Sequence, residues 1–229
     1  HLRESPEIRT PTSHTVGRAI KELSNEDLEY KSSSGNVFRS NTNPRLNDLL
    51  MKLNMKMGLL NPADVNVDFD HVYVKTEKAD AKYSYKQTYG YFPGVVSKDG
   101  IIAYIENRDG NTPVKFHQAD TLSRAFKLLH SYGLRIGVFR ADCGSYSEDL
   151  IRTVDGNCRI FYIRAIHSAS MCSRIQDIRE WRRVEIGSQE TEVASVISTQ
   201  FMENFRYRIV VQRTKEKYST PDLFGDRYT

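Results

Sequence analysis

The segment from Ile136 to Ser147, which reads I-G-V-F-R-A-D-C-G-S-Y-S, constrains the fold more than any other part of the chain. Four of its first six residues are apolar and two of these are β-branched, which is the composition of a short buried strand. The strand ends in Asp142 and a glycine turn, and Ser145 with Glu148 three residues later predicts a capping box that begins a helix. A carboxylate at the carboxyl end of a buried strand lies where α/β folds bind their ligands. Asp142 is therefore a candidate functional residue unless it only caps the turn, and we interpret Arg140 as a structural residue on the opposite strand face.

A second carboxylate-bearing strand is predicted upstream, from Val65 to Val74. Its sequence, V-N-V-D-F-D-H-V-Y-V, places apolar residues on one face and Asn66, Asp68 and Asp70 on the other. Like charges on one strand face repel each other, so a metal cation is the natural compensation. A partly exposed edge strand is the alternative interpretation. We interpret His71 in this strand as a packing residue.

Three regions with different patterns follow one another along the chain. Residues 1–60 are predicted to be a helical segment like those of DNA-binding units, with a polar loop at 31–43 and then a helix that Asn43 caps. Residues 61–170 show the order three strands, helix, strand, helix, strand, which predicts an α/β core with a mixed sheet. Residues 171–229 are β-rich and basic, and we expect a sheet of their own outside the central one. The inner face of the capped helix is predicted to consist of Leu46, Leu49, Leu50, Leu53 and Met57.

The overall composition permits a nucleic-acid partner without requiring one. The chain of 229 residues has a formal net charge of +4, and no segment approaches the ~20 apolar residues needed to span a bilayer. Its three cysteines have no C-x-x-C spacing, so we expect free thiols in a reducing compartment. For the first helix, a generic amphipathic helix is an alternative interpretation. For the stretch from Lys82 to Val96, a tyrosine-rich antiparallel strand is the alternative. Basic residues that could contact DNA lie in the first helix, in a tyrosine-rich stretch and in the β-rich region: Arg18, Lys21, Lys82, Lys86, Arg206 and Arg208.

Several motifs together resemble those of the bacterial insertion-sequence DDE transposases, in the group with a β-rich insertion before the last catalytic residue. V-D-F-D-H-V resembles the first aspartate motif of that group, and F-R-A-D-C-G-S-Y resembles its second. I-E-N-R-D-G-N-T and T-P-T-S-H-T-V-G-R-A-I-K-E-L are also similar to segments of these proteins. The resemblance implies a ribonuclease H-like α/β fold in which the two aspartate strands are neighbours. It also implies a cytoplasmic, nucleoid-associated bacterial protein that binds double-stranded DNA at the element's terminal repeats and can form a homodimer there.

The resemblance assigns the catalytic roles to Asp70 and Asp142. These carboxylates would bind two Mg²⁺ ions, with Asp68 as the alternative ligand to Asp70 because Val72 stands where the family has Thr. The implied reaction is phosphoryl transfer, in which the metal ions stabilise the attacking and leaving oxygens of a DNA phosphodiester. No glutamate matches the family's third catalytic position, which we expect beyond Thr229. This chain alone is therefore expected to bind duplex DNA weakly without cutting it.

Two alternatives to a transposase remain open. One is a DNA-binding remnant of a transposase without catalytic activity, and the other is a ribonuclease H-like nuclease unrelated to transposition. A helix bearing a glutamate beyond Thr229 would favour the enzyme over the remnant. An unrelated nuclease would leave the helical segment and the β-rich region unexplained.

Overall fold

The computed structural model describes residues 11–166, 168–198 and 205–214, and the chain forms two compact units, His1–Arg164 and Ala165–Thr229. The division falls a few residues before the boundary at residue 170 that the sequence pattern predicts. In the first unit, the helices and strands are α1 (Ser13–Glu22), β1 (Leu28–Lys31), β2 (Val37–Asn41), α2 (Pro44–Lys56), β3 (Asp64–His71), β4 (Val74–Lys75), β5 (Lys82–Tyr83), β6 (Tyr89–Tyr91), β7 (Gly94–Lys98), β8 (Ile101–Arg108), α3 (Gln118–Ser131), β9 (Arg135–Ala141), α4 (Glu148–Asp155) and β10 (Cys158–Ile163). In the second unit, they are α5 (Ala169–Gln176), β11 (Arg182–Ile186), β12 (Gln189–Ser198) and β13 (Tyr207–Arg213).

The first unit is built on a seven-stranded sheet with the order β1-β2-β8-β7-β3-β9-β10. β3, β9 and β10 are parallel to one another, whereas β7 is antiparallel to both β3 and β8. The chain order along this core is three strands, α3, a strand, α4 and a strand, as the sequence predicts. The predicted α/β class with a mixed sheet is therefore confirmed. A small sheet with the order β4-β6-β5 lies in the connection between β3 and β7.

The hydrophobic core lies on one face of this sheet. The apolar side of β3 enters it as predicted, and its three side chains are at most 2% exposed: Val65, Val67 and Phe69. Phe126 of α3 meets Phe139 of β9 edge to face, with ring centroids 5.9 Å apart. Burial of each such side chain stabilises the fold by about 1.5–3 kcal/mol. Because side chains alternate along a strand, the carboxylates of β3 are directed to the opposite face of the sheet.

Helix α2 covers the outer edge of β8 with two buried asparagines. The side-chain amide of Asn47 donates to the carbonyl of Ile105 at 2.8 Å and accepts from the amide of the same residue at 2.9 Å. Asn54, almost two turns later, donates to the carbonyl of Ile102 at 2.9 Å. These amides replace a neighbouring strand and satisfy backbone groups that would otherwise be unpaired.

The face of α2 that packs inward differs from the predicted one. Asn43 caps the helix as expected, and its side chain accepts from the amide of Leu46 at 3.0 Å. The buried residues of α2, however, are Asn47, Met51 and Asn54, while three predicted core residues are exposed: Leu49, Leu53 and Met57. The predicted leucine face was wrong because the edge of β8 requires hydrogen-bonding side chains, and these rotate the helix away from its apolar stripe.

The predicted polar loop at residues 31–43 was also wrong. β1 and β2 form an antiparallel hairpin there, and β2 pairs with the end of β8 through Ser40 and Asn41. The Ser- and Gly-rich residues 32–36 provide only the turn of this hairpin. Helix α1 forms within the segment predicted to be helical, but none of its residues is buried, and its apolar side chains Val16 and Ile20 are about half exposed.

The predicted capping box after Asp142 does not form. Ser145 lies in a short 3₁₀ turn, Cys143–Ser145, and α4 begins only at Glu148 with Ser147 as its N-cap. Glu148 instead pairs with Arg152 one turn later, at 2.7 Å. Asp142 itself caps the 3₁₀ turn, and the helix starts two residues later than the sequence pattern indicates.

The second unit contains α5 and an antiparallel sheet with the order β11-β12-β13. The prediction that the β-rich region forms a sheet separate from the central one is confirmed. The guanidinium of Arg213 lies 3.9 Å from the ring centroid of Trp181 and also pairs with Glu192 at 2.7 Å.

Candidate functional site

Asp70 and Asp142 lie side by side at one end of the central sheet. Phe69 and Ala141 are the last paired residues of the parallel strands β3 and β9, so the two aspartates follow at the next position of the same register. The backbone of Asp142 is still extended, and neighbouring strands are about 4.8 Å apart. Both side chains are therefore directed to the sheet face opposite the core, and both residues are exposed.

Local hydrogen bonds orient each of these carboxylates. Oδ1 of Asp70 accepts from the backbone N–H of His71 at 2.7 Å, and Oδ1 of Asp142 accepts from that of Gly144 at 2.9 Å. A Cβ atom at Gly144 would lie 2.7 Å from Val114 and 3.1 Å from the Asp142 carboxylate. A side chain at position 144 would have to displace Val114 or the Asp142 carboxylate, so the glycine leaves both in place.

Asp68 is already paired with a positively charged side chain, that of Arg140. Arg140 is paired with it across the two strands and donates from Nε at 2.6 Å and from Nη2 at 2.8 Å, one bond to each carboxylate oxygen. The interpretation that Arg140 points away from the face of Asp142 was wrong, because residues two apart on a strand share a face. A carboxylate with both oxygens bonded to a guanidinium is a poor metal ligand, which favours Asp70 over Asp68 at the site.

Behind Asp70, the ring of His71 packs between Phe69 and Phe92, at centroid distances of 5.0 and 5.1 Å. Burial, assisted by the charge of Arg108, lowers the pKa of His71 to about 3, so the ring is neutral near pH 7. The guanidinium of Arg108 donates to Nε2 of this ring and, at 2.7 Å, to the carbonyl of Pro113. This environment fits the packing role predicted for His71.

The tautomer of His71 follows from these contacts. Arg108 can only donate, so Nε2 must accept and the ring proton lies on Nδ1. Nδ1 faces the side-chain amide of Gln118 at 3.5 Å, and Oε1 of that amide has no hydrogen-bond partner among the described residues. With the amide rotated by half a turn, Oε1 would accept from Nδ1–H, which satisfies both groups. Arg108, His71 and Gln118 would then form one hydrogen-bonded chain beside the end of β3.

A buried ionic network on β8 was missed by sequence reasoning. The side chain of Glu106 is fully buried and accepts from Arg124 at 2.6 and 2.9 Å, from Tyr104 at 2.5 Å and from Thr121 at 2.7 Å. The signal available in the sequence was Glu106, which follows the apolar stretch I-I-A-Y-I and lies two residues before Arg108. Burial lowers the pKa of Arg108 to about 10, which leaves it charged at neutral pH. Through the contact of Arg108 with His71, the segment I-E-N-R-D-G-N-T supports the end of β3, the strand of Asp70.

The six basic residues predicted to bind DNA belong to several different elements of the two units. Arg18 and Lys21 are exposed on α1, Lys86 is exposed on the hairpin between β5 and β6, and Lys82 in β5 is half-buried. Arg206 and Arg208 are exposed in the second unit. Arg208 contributes there to a polar groove that also contains Arg174, Arg179, Arg182 and Trp181.

The donor set at the end of the sheet is compatible with a magnesium ion. Mg²⁺ prefers carboxylate oxygens and keeps several of its water ligands, so two exposed and adjacent aspartates can hold one ion weakly. Within residues 11–166, 168–198 and 205–214, no three His, Cys, Asp or Glu side chains are grouped closely enough to form a complete metal site. Asp70 and Asp142 would thus need water, substrate oxygens or a further ligand to complete the coordination of an ion.

No protein-family model, curated protein or solved structure matches this chain. None of the described helices is long and apolar enough to cross a membrane.

Proposed function

We propose that this chain is the ribonuclease H-like part of a bacterial insertion-sequence DDE transposase, an enzyme that cuts and joins DNA ends. The observation that carries the proposal is the placement of Asp70 and Asp142 at equivalent positions of adjacent parallel strands. Two further features support it: the strand order β8-β7-β3-β9-β10 around these residues, and the separate β-rich unit that follows β10.

In the proposed reaction, residues of this chain hold the metal ion at the reacting end of the DNA strand. Asp70 and Asp142 would bind Mg²⁺, which supplies electrostatic stabilisation to the attacking and leaving oxygens of a phosphodiester when it is bound. The ion pair with Arg140 keeps Asp68 from competing for the ion. The contacts of His71 with Arg108 hold the end of β3, and the Gly144 amide holds the carboxylate of Asp142.

Metal binding tests the site. Mn²⁺ replaces Mg²⁺ as a paramagnetic probe, and its affinity is measured by electron paramagnetic resonance or by calorimetry. The substitutions Asp70→Asn and Asp142→Asn are each expected to weaken Mn²⁺ binding by at least about tenfold, because each removes one of two ligands. Asp68→Asn is the matched control and is expected to leave the affinity within about twofold. Equal losses in all three variants would contradict the assignment.

DNA cleavage tests the reaction and separates the alternatives. The complete gene product is incubated with Mg²⁺ and DNA taken from both sides of its coding sequence. Metal-dependent cutting at defined ends, abolished by Asp70→Asn, is the expected result for a transposase. Binding without cutting would favour the remnant, and preferential cutting of an RNA–DNA hybrid would favour the nuclease. Duplex binding by the 229-residue chain is expected to be weak and to fall steeply with salt.

A further inference from the structure

The connection between β3 and β7 forms a protrusion beside the two aspartates. It leaves the sheet directly after Asp70 and His71, contains the small sheet β4-β6-β5, and returns at Gly94, which pairs with His71. The strands β5 and β6 and the turn between them, residues 82–91, are called the tyrosine hairpin below. This connection leaves and re-enters the sheet at the carboxyl end of β3, and Tyr91 of the hairpin bridges to Asp109 directly after β8, so the hairpin lies at the same end of the sheet as the candidate site.

The surface of the tyrosine hairpin is aromatic and exposed. Tyr83, Tyr85 and Tyr89 are 55–66% exposed, although they lie within seven residues of one another. Tyr83 and Tyr89 are paired across the hairpin with ring centroids 5.3 Å apart, and Tyr85 lies in the turn. Single exposed aromatic residues are common on protein surfaces, but three in one short hairpin form a patch that the core does not explain.

The aromatic patch is accompanied by positive charge. The ammonium of Lys86 lies 5.0 Å from the ring centroid of Tyr85, and Lys82 is in the strand beside it. Lys75 on β4 is also exposed. The hydrogen bond from the hydroxyl of Tyr91 lowers the pKa of Asp80, so this carboxylate is charged, and Glu77 is a second, exposed acid. Residues 75–91 contain four lysines against these two acids, so the segment carries a net positive charge that suits a polyanion.

Contacts with neighbouring segments hold the backbone of the hairpin in position. The hydroxyl of Tyr73 donates to the carbonyl of Thr88 at 2.8 Å, and the backbone of Tyr91 forms a bridge with Asp109. Gly90 and Gly110 permit close backbone contact, since a Cβ at Gly110 would lie 2.3 Å from the carbonyl oxygen of Gly90. The tyrosine rings are therefore presented on a supported strand pair, which lowers the entropic cost of binding a ligand.

We propose that the tyrosine hairpin binds unpaired nucleotides of the DNA strand that is held at Asp70 and Asp142. Lysines alone are sufficient to contact a duplex, whose base faces are stacked on one another and inaccessible to a protein ring. An exposed tyrosine can stack only on a base that has left the helix, and the combination of aromatic rings with a basic surface is typical of single-strand binding. This inference rests on the proposed function, because the identity of the polyanion as DNA comes from it.

The experiment compares the affinities of the chain for fluorescent DNAs of one sequence: a single strand, a duplex, and a duplex with an unpaired end. The double substitution Tyr85→Leu/Tyr89→Leu is expected to weaken binding of the single strand and of the unpaired end by about 100-fold, about tenfold for each ring, and that of the duplex by less than about twofold. Tyr85→Phe/Tyr89→Phe is the matched control, which keeps both rings and is expected to retain the affinity. Lys86→Gln is expected to weaken single-strand and duplex binding alike.

Equal losses for the single strand and the duplex in the Leu variant, or failure of the Phe variant to retain affinity, would overturn the inference. The wild-type chain provides a check that needs no variant: ultraviolet cross-linking to a bromodeoxyuridine single strand is expected to label a peptide within residues 82–91. Cross-links found only elsewhere would also overturn it. If Asp70→Asn leaves Mn²⁺ binding intact, the proposed function fails; if Mn²⁺ binding is lost but the Leu variant binds single strands normally, only the hairpin inference fails.

Discussion

Replacement of Glu106 by Gln tests how much the buried network on β8 stabilises the first unit. The carboxylate is fully buried and accepts four hydrogen bonds, two of them from Arg124. An amide of the same shape retains one acceptor oxygen but turns its NH₂ group towards a donor of Arg124. Removing one partner of a buried ion pair costs about 3–5 kcal/mol. Because the side chain of Arg124 is 34% exposed and can turn towards water, we expect the smaller loss of about 2–4 kcal/mol.

The assay is urea denaturation followed by far-UV circular dichroism, with thermal denaturation in parallel. For a chain of this length the expected loss corresponds to a fall in Tm of about 5–15 °C. The single tryptophan, Trp181, lies in the second unit, so its fluorescence shows whether that unit is affected. Glu29→Gln is the matched control, since Glu29 forms an exposed pair with Arg39 at 3.3 Å and is expected to change stability by less than about 1 kcal/mol. If Glu106→Gln were as mild as Glu29→Gln, the network would not stabilise the fold and the reasoning would be wrong.

Two further predictions concern the thiols and the glycines. Burial raises the pKa of Cys158 to about 12, so at pH 8 this thiol is almost entirely protonated. Iodoacetamide is therefore expected to modify the exposed Cys143 and Cys172 first, and the rate at Cys158 is expected to rise as the pH approaches 12. Equal rates for all three thiols, measured by mass spectrometry, would refute this. Gly110→Ala is expected to destabilise the first unit by more than about 2 kcal/mol, because its Cβ would lie 2.3 Å from a carbonyl oxygen of β6. Gly156→Ala, where the nearest atom is 3.6 Å away, is expected to be neutral or slightly stabilising, and equal losses in the two variants under urea would contradict the steric argument.

Several elements were predictable because local patterns decide them. The alternation of apolar and polar residues in β3 places Phe69 in the core and Asp70 on the other face, whatever strand lies beside it. The turn after Asp142 was also predictable, because a glycine directly after a strand is a local turn signal; in the structure, a Cβ at Gly144 would meet Val114 and the Asp142 carboxylate. Asn43 and Pro44 define the start of α2 by their own side-chain and backbone chemistry. The separate sheet of the second unit likewise followed from strand patterns that had no helix between them.

Other features depend on neighbours that are distant in the chain, and no local pattern contains them. The inward face of α2 is decided by the unpaired edge of β8, which selects Asn47 and Asn54 over the leucines. The bond between Asp68 and Arg140 exists only because β3 and β9 pair in one particular register, and this bond separates the ligand candidates Asp68 and Asp70. Alternation along a strand is a property of the backbone and can be read from sequence, whereas the partner of a polar side chain is chosen by strand order and register. For that reason the sequence indicated which carboxylates to consider, and only the tertiary structure showed that β3 and β9 are neighbours and that Asp68 is paired with Arg140.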